Sequence, residues 1–337
     1  MSGTKTLAMV ASLLLVALLI FLLGPRIPID THTRPVALPA DLDAWLAERE
    51  AAVPDLMPGA EKTIRWAGDP GERTALAVVY LHGFSDSRQS LSPVPETLAR
   101  QLGANFFATR LTGHGRNGAA MAEASVNDWL QDGREALAIG ARLGERVILM
   151  GLSTGGTLAT WLAATQDDAP LAALLLVSPN YGPADARARI LTWPWGGHIA
   201  TLVEGEERVV PVLDADHERI WQHRYPTRAL LPMMGLVQLL GRTDLAAIRA
   251  PTLMVYSPDD QVVDVAAIER AFERLEAPKA KVAFTAATSA SQHVLAGDAM
   301  SPAANAPLLA TLLGFLAEQD VAPAQAGRAT GSPSSST

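Results

Sequence analysis

A serine flanked by glycines is the candidate nucleophile of this chain. The apolar segment 147–150 runs directly into Gly151-x-Ser153-x-Gly155, and a segment with helical periodicity begins at Thr154. A sharp turn from a strand into a helix strains the serine backbone and lifts its hydroxyl above the sheet, while the glycines let neighbouring backbone approach. The first N–H groups of the helix can stabilise negative charge that develops there. This pattern predicts nucleophilic catalysis by Ser153.

A histidine late in the chain is the candidate base. A serine hydroxyl attacks a carbonyl efficiently only when a base takes its proton. In a site built on such a turn, an acid and then a histidine follow the serine along the chain. His293 is the only histidine downstream of the candidate acids, and it lies in a polar loop after the apolar segment 282–285. We therefore predict that His293 is the base.

Three aspartates follow the apolar segment 253–256 and are candidates for the acid that orients this base. Asp260 stands directly before Gln261-Val-Val, and Asp259 is its neighbour. Asp264 lies where an N-cap of the next helix is expected, which explains that carboxylate without catalysis. The sequence favours Asp260 and leaves Asp259 as the main alternative.

Acyl transfer also needs N–H donors for the oxyanion of a tetrahedral intermediate. The residue after the nucleophile offers the backbone N–H of Thr154. A second donor is expected from the loop after the apolar segment 78–81, which reads His82-Gly83-Phe84. Gly83 lets the chain turn, so that the N–H of Phe84 can face the site. We interpret His82 as a brace for this loop.

Short apolar segments alternate with segments of helical periodicity along most of the chain. Each apolar segment is apolar throughout, as expected of strands covered on both faces. Their alternation predicts an α/β chain with a doubly wound, mostly parallel sheet. Segments 62–66 and 75–81, separated by Gly-Asp-Pro-Gly, predict two strands about a turn. The other predicted strands are 106–111, 147–150, 173–177, 253–256 and 282–285, and the predicted helices are 41–52, 91–102, 126–143, 154–165 and 265–275.

The segment 180–244 interrupts this alternation. It shows no clean strand but contains Trp, Pro and Gly residues and an apolar run at 230–240. An insertion after a strand, at the carboxyl edge of a parallel sheet, is where a cap over a site would lie. Its large apolar side chains, which include Trp193, Trp195 and Met233, are expected either to line an acyl pocket or to form the core of the cap.

An apolar run at the start of the chain predicts a membrane anchor. Residues 6–23 carry no charge, follow Lys5 and end before Gly24, which is just long enough for a helix that crosses the hydrocarbon core. A cleaved signal peptide is the alternative, but the end of the run is a poor cleavage site. Lys5 before the span, and Arg26 with Arg34 after it, give a slight preference for an exported domain.

These features divide the chain into four parts. The predicted boundaries are a membrane anchor at 1–27, a stalk with a leading helix at 28–60, an α/β domain at 61–320 with its cap at about 180–244, and a disordered tail at 321–337.

Composition and charge exclude several classes of protein. The net charge of −8, without any run of Lys or Arg, argues against a protein that binds nucleic acid. The chain has no cysteine, which excludes disulfides, thiolate metal sites and a cysteine nucleophile. No cluster of His and carboxylates has the spacing of metal ligands. We therefore predict neither a metal nor another cofactor.

The motifs, in this order, resemble the α/β-hydrolase superfamily. More narrowly, they resemble its bacterial carboxylesterase and monoacylglycerol-lipase branch, whose members carry a small cap. The resemblance extends from about residue 76 to residue 316 and is carried by His82-Gly-Phe, Gly113-His-Gly, Gly151-x-Ser-x-Gly, Asp260-x-Val-Val and His293.

The resemblance implies an α/β-hydrolase fold and a serine hydrolase that cleaves carboxylic esters through an acyl-enzyme. At the matching positions it implies a triad of Ser153, His293 and Asp260, with the Phe84 and Thr154 amides as the oxyanion hole. Monoacylglycerol, thioester or peptide substrates stay open, as does an inactive, membrane-tethered binding protein. The expected partners are a small ester or lipid-like substrate and the membrane, through the N-terminal helix.

Overall fold

A computed structural model of the protein describes residues 2–166 and 169–321. Its strands are β1 (Thr63–Arg65), β2 (Thr74–Leu81), β3 (Asn105–Ala108), β4 (Gly144–Leu152), β5 (Leu171–Val177), β6 (Glu207–Val209), β7 (Arg224–Pro226), β8 (Thr252–Tyr256) and β9 (Lys279–Ala283). In these ranges seven strands form one sheet in the order β1-β3-β2-β4-β5-β8-β9. Only the edge strand β1 runs antiparallel to its neighbour, so the prediction of a mostly parallel sheet is confirmed.

Helices cover both faces of this sheet. The described helices are α1 (Ser2–Leu22), α2 (Leu42–Ala51), α3 (Val94–Gln101), α4 (Val126–Leu143), α5 (Thr154–Thr165), α6 (Gly196–Glu204), α7 (Ala215–Ile220), α8 (Leu230–Arg242), α9 (Val265–Glu273) and α10 (Asn305–Glu318), of which α1 does not pack on the sheet. Helices α4, α5, α8 and α9 share one apolar core with alternate strand side chains such as Val79. Helices α3 and α10 share the other core with side chains such as Val78, because successive strand residues point to opposite faces.

The first two predicted strands form about a turn, but they do not pair with each other. Strand β3 lies between them, and Thr63 of β1 is in register with Ala108 of β3. The buried Asn105 side chain holds the connection in this path: it accepts from the Ala67 N–H (2.8 Å) and donates to the Glu72 carbonyl (2.7 Å). The connection therefore passes over the start of β3 and does not fold back as a hairpin.

The insertion between β5 and β8, residues 180–244, is called the cap here. It contains α6, α7, α8 and a small antiparallel sheet of β6 and β7, where the sequence predicted no clean strand. Those strands have three residues each, too few for a hydrophobic period to show. Helix α8 joins the cap to the domain because Met234 and Leu236 are buried in the core beside α4 and α5.

The N-terminal helix stands apart from both cores. Its segment Lys5–Leu22 has a mean hydropathy of 2.5, is not buried, and is long and apolar enough to span a membrane or to serve as a signal sequence. The segment predicted as a stalk lies along α4: Gln131 accepts from the Arg34 N–H (2.8 Å), and Asn127 donates to the His32 carbonyl (2.7 Å). All of the predicted tail except Val321 lies outside the described residues.

Candidate active site

The turn between β4 and α5 holds Ser153 in a strained conformation. Its φ of 52° and ψ of −117° lie in a region that residues with a side chain rarely adopt. A Cβ on Gly155 would lie 2.1 Å from the Leu81 carbonyl oxygen, and one on Gly151 would lie 2.4 Å from the Gly155 carbonyl oxygen. Only glycine fits at these two positions, so the spacing of the motif follows from steric contact in the turn.

The end of β5 fixes this turn from its other side. The Ser153 N–H donates to the Val177 carbonyl (3.0 Å), and the Ser153 carbonyl accepts from the Asn180 N–H (3.0 Å). Both backbone polar groups of the serine are therefore satisfied by the neighbouring chain, and its side chain stays free to react.

His293 and Asp260 form a hydrogen-bonded pair at the same edge of the sheet. The distance from His293 Nδ1 to Asp260 Oδ2 is 2.8 Å. The other carboxylate oxygen, Oδ1, accepts from the N–H groups of Val262 (2.8 Å) and Val263 (3.0 Å). The Asp260 side chain is fully buried, and that of His293 is nearly so. The carboxylate thus has one fixed orientation, with one oxygen left for the imidazole.

The two other candidate acids lie elsewhere. Asp259 is exposed to solvent. Asp264 caps α9, since it accepts from the Ala266 N–H (3.0 Å), and it also pairs with Arg270 (3.0 Å). Neither carboxylate contacts His293 among the described hydrogen bonds and ion pairs.

Gln292, which sequence reasoning missed, locks the loop that carries the histidine. Its φ of 56° is in the left-handed region. Its side chain donates to the carbonyls of Ala287 (3.1 Å) and Ser289 (3.0 Å), and it accepts from the Ser257 hydroxyl (3.3 Å). The loop is therefore tied to the end of β8. A single glutamine beside a histidine gives no sequence signal for such a role.

The loop after β2 brings a glycine against the serine. A Cβ on Gly83 would lie 3.3 Å from Ser153 Cβ. His82 Nε2 accepts from the Leu111 N–H (3.0 Å), so its Nδ1 carries the proton and donates to the Gly83 carbonyl (2.8 Å). Burial, with added repulsion from His114, lowers the pKa of His82 well below its usual value. The neutral His82 therefore braces the loop.

A second buried carboxyl group, also missed, lies below this loop. Asp86 accepts from the N–H of Ser87 (2.6 Å), from the hydroxyl of Ser90 (2.7 Å) and from the N–H of Gly83 (3.3 Å). Burial raises the pKa of Asp86 to about 7, although these hydrogen bonds act in the opposite direction. The sequence offered no hint, because an Asp in a polar loop is expected at the surface.

Two backbone amides near the serine have no backbone acceptor among the described residues. In the described part of the chain the Phe84 N–H donates no hydrogen bond, and the Thr154 N–H, the first of α5, has no acceptor within its helix. The Phe84 ring is held edge-on against Tyr225 (5.4 Å between ring centroids) and His114 (5.8 Å). This packing fixes the backbone of the loop.

A cavity of about 290 Å³ lies under the cap. One wall is formed by Gln261 and Val262, the two residues after Asp260, and Met233 and Ile199 of the cap contribute apolar side chains. Met233 is also part of the main core, as is its neighbour Met234. The cap thus supplies both an apolar lining and core residues. Within residues 2–166 and 169–321, no group of three His or carboxylate side chains could hold a metal ion.

Comparison with known proteins agrees with this architecture. The family model described as serine aminopeptidase, S33, matches residues 72–288. The thermostable monoacylglycerol lipase of Bacillus sp. (strain H-257) is 26% identical over 196 residues, which cover 57% of this chain and 73% of that protein.

Solved structures share the fold at lower identity. A metagenome-derived lipolytic enzyme superposes with a TM-score of 0.60 at 22% identity, over 78% of this chain and 99% of that one. The monoacylglycerol lipase of Paleococcus ferrophilus superposes with a TM-score of 0.56 at 16% identity, over 77% and 98%. The chain therefore belongs to the serine aminopeptidase S33 family, and it is an α/β-hydrolase of the monoacylglycerol-lipase-like branch.

Proposed function

We propose that this protein hydrolyses carboxylic esters with an apolar acyl group, through a triad of Ser153, His293 and Asp260. The observation that carries the proposal is the buried pair of His293 and Asp260, at the edge of the sheet where the strained turn presents Ser153. A neutral imidazole that donates from Nδ1 to a carboxylate has an unprotonated Nε2, which is the atom a serine base requires.

The proposed reaction has two matching halves. His293 takes the proton of Ser153 as the hydroxyl oxygen attacks the ester carbonyl, and Asp260 stabilises the imidazolium. The amides of Phe84 and Thr154 donate to the oxyanion. His293 then protonates the leaving alcohol, an acyl-enzyme remains, and water repeats the same steps to release the acid.

The lining of the cavity favours esters over peptides with a free amino group. A free α-ammonium group is best bound by an unpaired carboxylate. The two acids beside the cavity are each paired, Asp185 with Arg187 (2.7 Å) and Glu204 with Arg208 (3.5 Å). The other cavity walls are mainly apolar, which suits an acyl chain. The sequence similarity to a monoacylglycerol lipase supports the same substrate class.

A catalytically inactive binding protein is the alternative from another class. A binding site has no need of a strained serine or of a buried carboxylate, because backbone strain and the removal of a charge from water both cost folding free energy. Their presence at one edge of the sheet supports catalysis.

The test is the Ser153→Ala variant of the full chain, with Ser92→Ala as its matched control. Ser92 lies before α3, and its hydroxyl contacts only Glu96 among the described hydrogen bonds (3.1 Å). We expect Ser153→Ala to abolish turnover of p-nitrophenyl esters and labelling by a fluorophosphonate, and Ser92→Ala to retain both. Undiminished activity in folded Ser153→Ala would refute the nucleophile. A wild-type protein that hydrolyses acyl thioesters or amino-acid p-nitroanilides faster than esters would refute the substrate class.

We also propose that α1 stays in the mature protein as a membrane anchor, with the catalytic domain on the outer side. Its length, its apolarity and the poor cleavage site at its end support the anchor, and the basic residues around the span give the slight preference for the outer side. Mass spectrometry of the membrane fraction after expression tests it, since removal of the first residues would show a cleaved signal.

A further inference from the structure

We propose that the cap lies on the surface of the membrane that α1 crosses, with apolar side chains of α6 in contact with lipid. The proposal goes beyond ester hydrolysis and rests on the proposed anchor. The end of α1 contacts the cap through hydrogen bonds of Trp195. Trp195 Nε1 donates to the carbonyl of Ile20 (3.0 Å), and the Trp195 N–H donates to the carbonyl of Pro25 (2.8 Å).

The close fit at Gly24 shows that this contact is tight. A Cβ at that position would lie 2.0 Å from Trp195 Nε1, inside the indole ring. The end of α1 is therefore fixed to the start of α6, at Trp195 and Gly196, and does not move freely on a linker.

The length of α1 determines where this contact lies relative to the hydrocarbon core of the membrane. A helix needs about 20 residues to cross the hydrocarbon core, and the apolar segment Lys5–Leu22 has 18. All of the segment is then needed in the core, so the carbonyl of Ile20 lies at its outer boundary. Trp195 lies at the same level because it bonds to that carbonyl. An indole with its N–H satisfied is typical of this interface.

The surface of the cap beside this contact is exposed and mainly apolar, although Arg26, Glu206 and Arg228 also line it. Trp193 is 51% exposed and Leu202 of α6 is 86% exposed. With residues 25–28 they line an open groove of about 670 Å³. Soluble monomers rarely leave large apolar patches in water. The bilayer is the occupant that the structure favours, because the groove continues the surface at which α1 leaves the membrane.

The position of α6 places this surface next to the cavity that Gln261 and Val262 also line. Leu202 faces the groove, while Ile199 and Val203 of the same helix line the cavity under the cap. One helix thus separates the lipid phase from the cavity.

The absence of cysteine allows a direct test. Leu202→Cys and, as a control, Glu318→Cys are made in the full chain and labelled with an environment-sensitive fluorophore. Glu318 is exposed at the end of α10, which packs with α3 in the core on the sheet face opposite to the one that contains α8 of the cap. The proteins are placed in phosphatidylcholine nanodiscs, with or without nitroxide-labelled lipid.

We expect nitroxide lipid to quench the label at position 202 several-fold more than the label at position 318. Equal quenching at the two positions would overturn the proposal. A label at position 202 that is shielded from water but not quenched by lipid would also overturn it, since a protein would then cover the patch. The measurement reads only position, so an inactive enzyme gives the same answer and failure of the proposed function is recognised separately.

Discussion

The Asp260→Asn substitution tests the orientation of the imidazole. In the wild type, Asp260 Oδ1 accepts from the two N–H groups of Val262 and Val263, and Oδ2 accepts from His293 Nδ1. An asparagine has one carbonyl oxygen. If that oxygen keeps the two backbone N–H groups, the amide NH₂ points at Nδ1 and forces the proton of the imidazole onto Nε2.

The expected loss follows from that tautomer. With the proton on Nε2, His293 cannot take the proton of Ser153. The opposite rotamer of the asparagine would leave two buried N–H groups without acceptors, which costs about 1–3 kcal/mol each. This rotamer is therefore disfavoured and does not restore the tautomer. A wrong tautomer in a serine triad lowers kcat by about 10⁴-fold, which corresponds to about 5 kcal/mol of transition-state stabilisation.

The assay compares kcat for a p-nitrophenyl ester in Asp260→Asn and in Asp259→Asn, its exposed neighbour. Urea unfolding of both variants checks that the fold is kept. We expect Asp259→Asn to retain wild-type kcat. The assignment of Asp260 as the acid is refuted if Asp260→Asn keeps more than about a tenth of the wild-type kcat. It is also refuted if Asp259→Asn lowers kcat as strongly as Asp260→Asn does.

Two further substitutions test residues that support the loop after β2 and the turn after β4. Because the pKa of Asp86 is about 7 in the folded protein and about 3.9 in an unfolded chain, folding takes up a proton between these values. The stability that Asp86 contributes is full below about pH 4 and is lost as the pH rises to 7, by up to about 4 kcal/mol. Urea unfolding across this range should show the wild type losing stability relative to Asp86→Asn, and a constant difference would contradict the burial argument. Gly155→Ala should lower the free energy of unfolding by about 1–3 kcal/mol or more, because its Cβ would lie 2.1 Å from the Leu81 carbonyl oxygen, whereas Gly241→Ala, which meets nothing within 4 Å, should not.

The helices that precede and follow the strand leading to Ser153 were predictable from local signals. Segments 126–143 and 154–165 form α4 and α5 with the predicted bounds. The first begins at a capping box of Ser125 and Asp128, and the second begins at the turn that the glycine spacing marks. The central strands are buried on both faces, so each shows as a continuous apolar run.

Strand order and several supporting side chains were not predictable. The place of β3 between β1 and β2 depends on Asn105, whose hydrogen bonds reach residues more than thirty positions away. Asp86 and Gln292 act through contacts that exist only in the folded loops. Long-range hydrogen bonds leave no period in a sequence, so a single chain does not reveal them.

The helix predicted at 91–102 forms, but it begins later in the chain than predicted. Its helical periodicity is real, but α3 begins only at Val94. Pro93 precedes it, and a proline disfavours helical backbone in the residue before it. The residue at which a helix starts is thus decided by one side chain and not by the period.

The two halves of the site differ in what holds them. Ser153 is fixed by contacts with β2 and β5, and His293 and Asp260 are fixed by backbone and glutamine hydrogen bonds at the end of β8. The cavity, in contrast, takes most of its lining from the cap, whose helices join the domain mainly through α8. A smaller side chain at Met233 would enlarge the space for an acyl chain and leave the tautomer of His293 unchanged. If the proposed function is correct, substrate choice can therefore vary with the cap while the chemistry of the proposed triad stays the same.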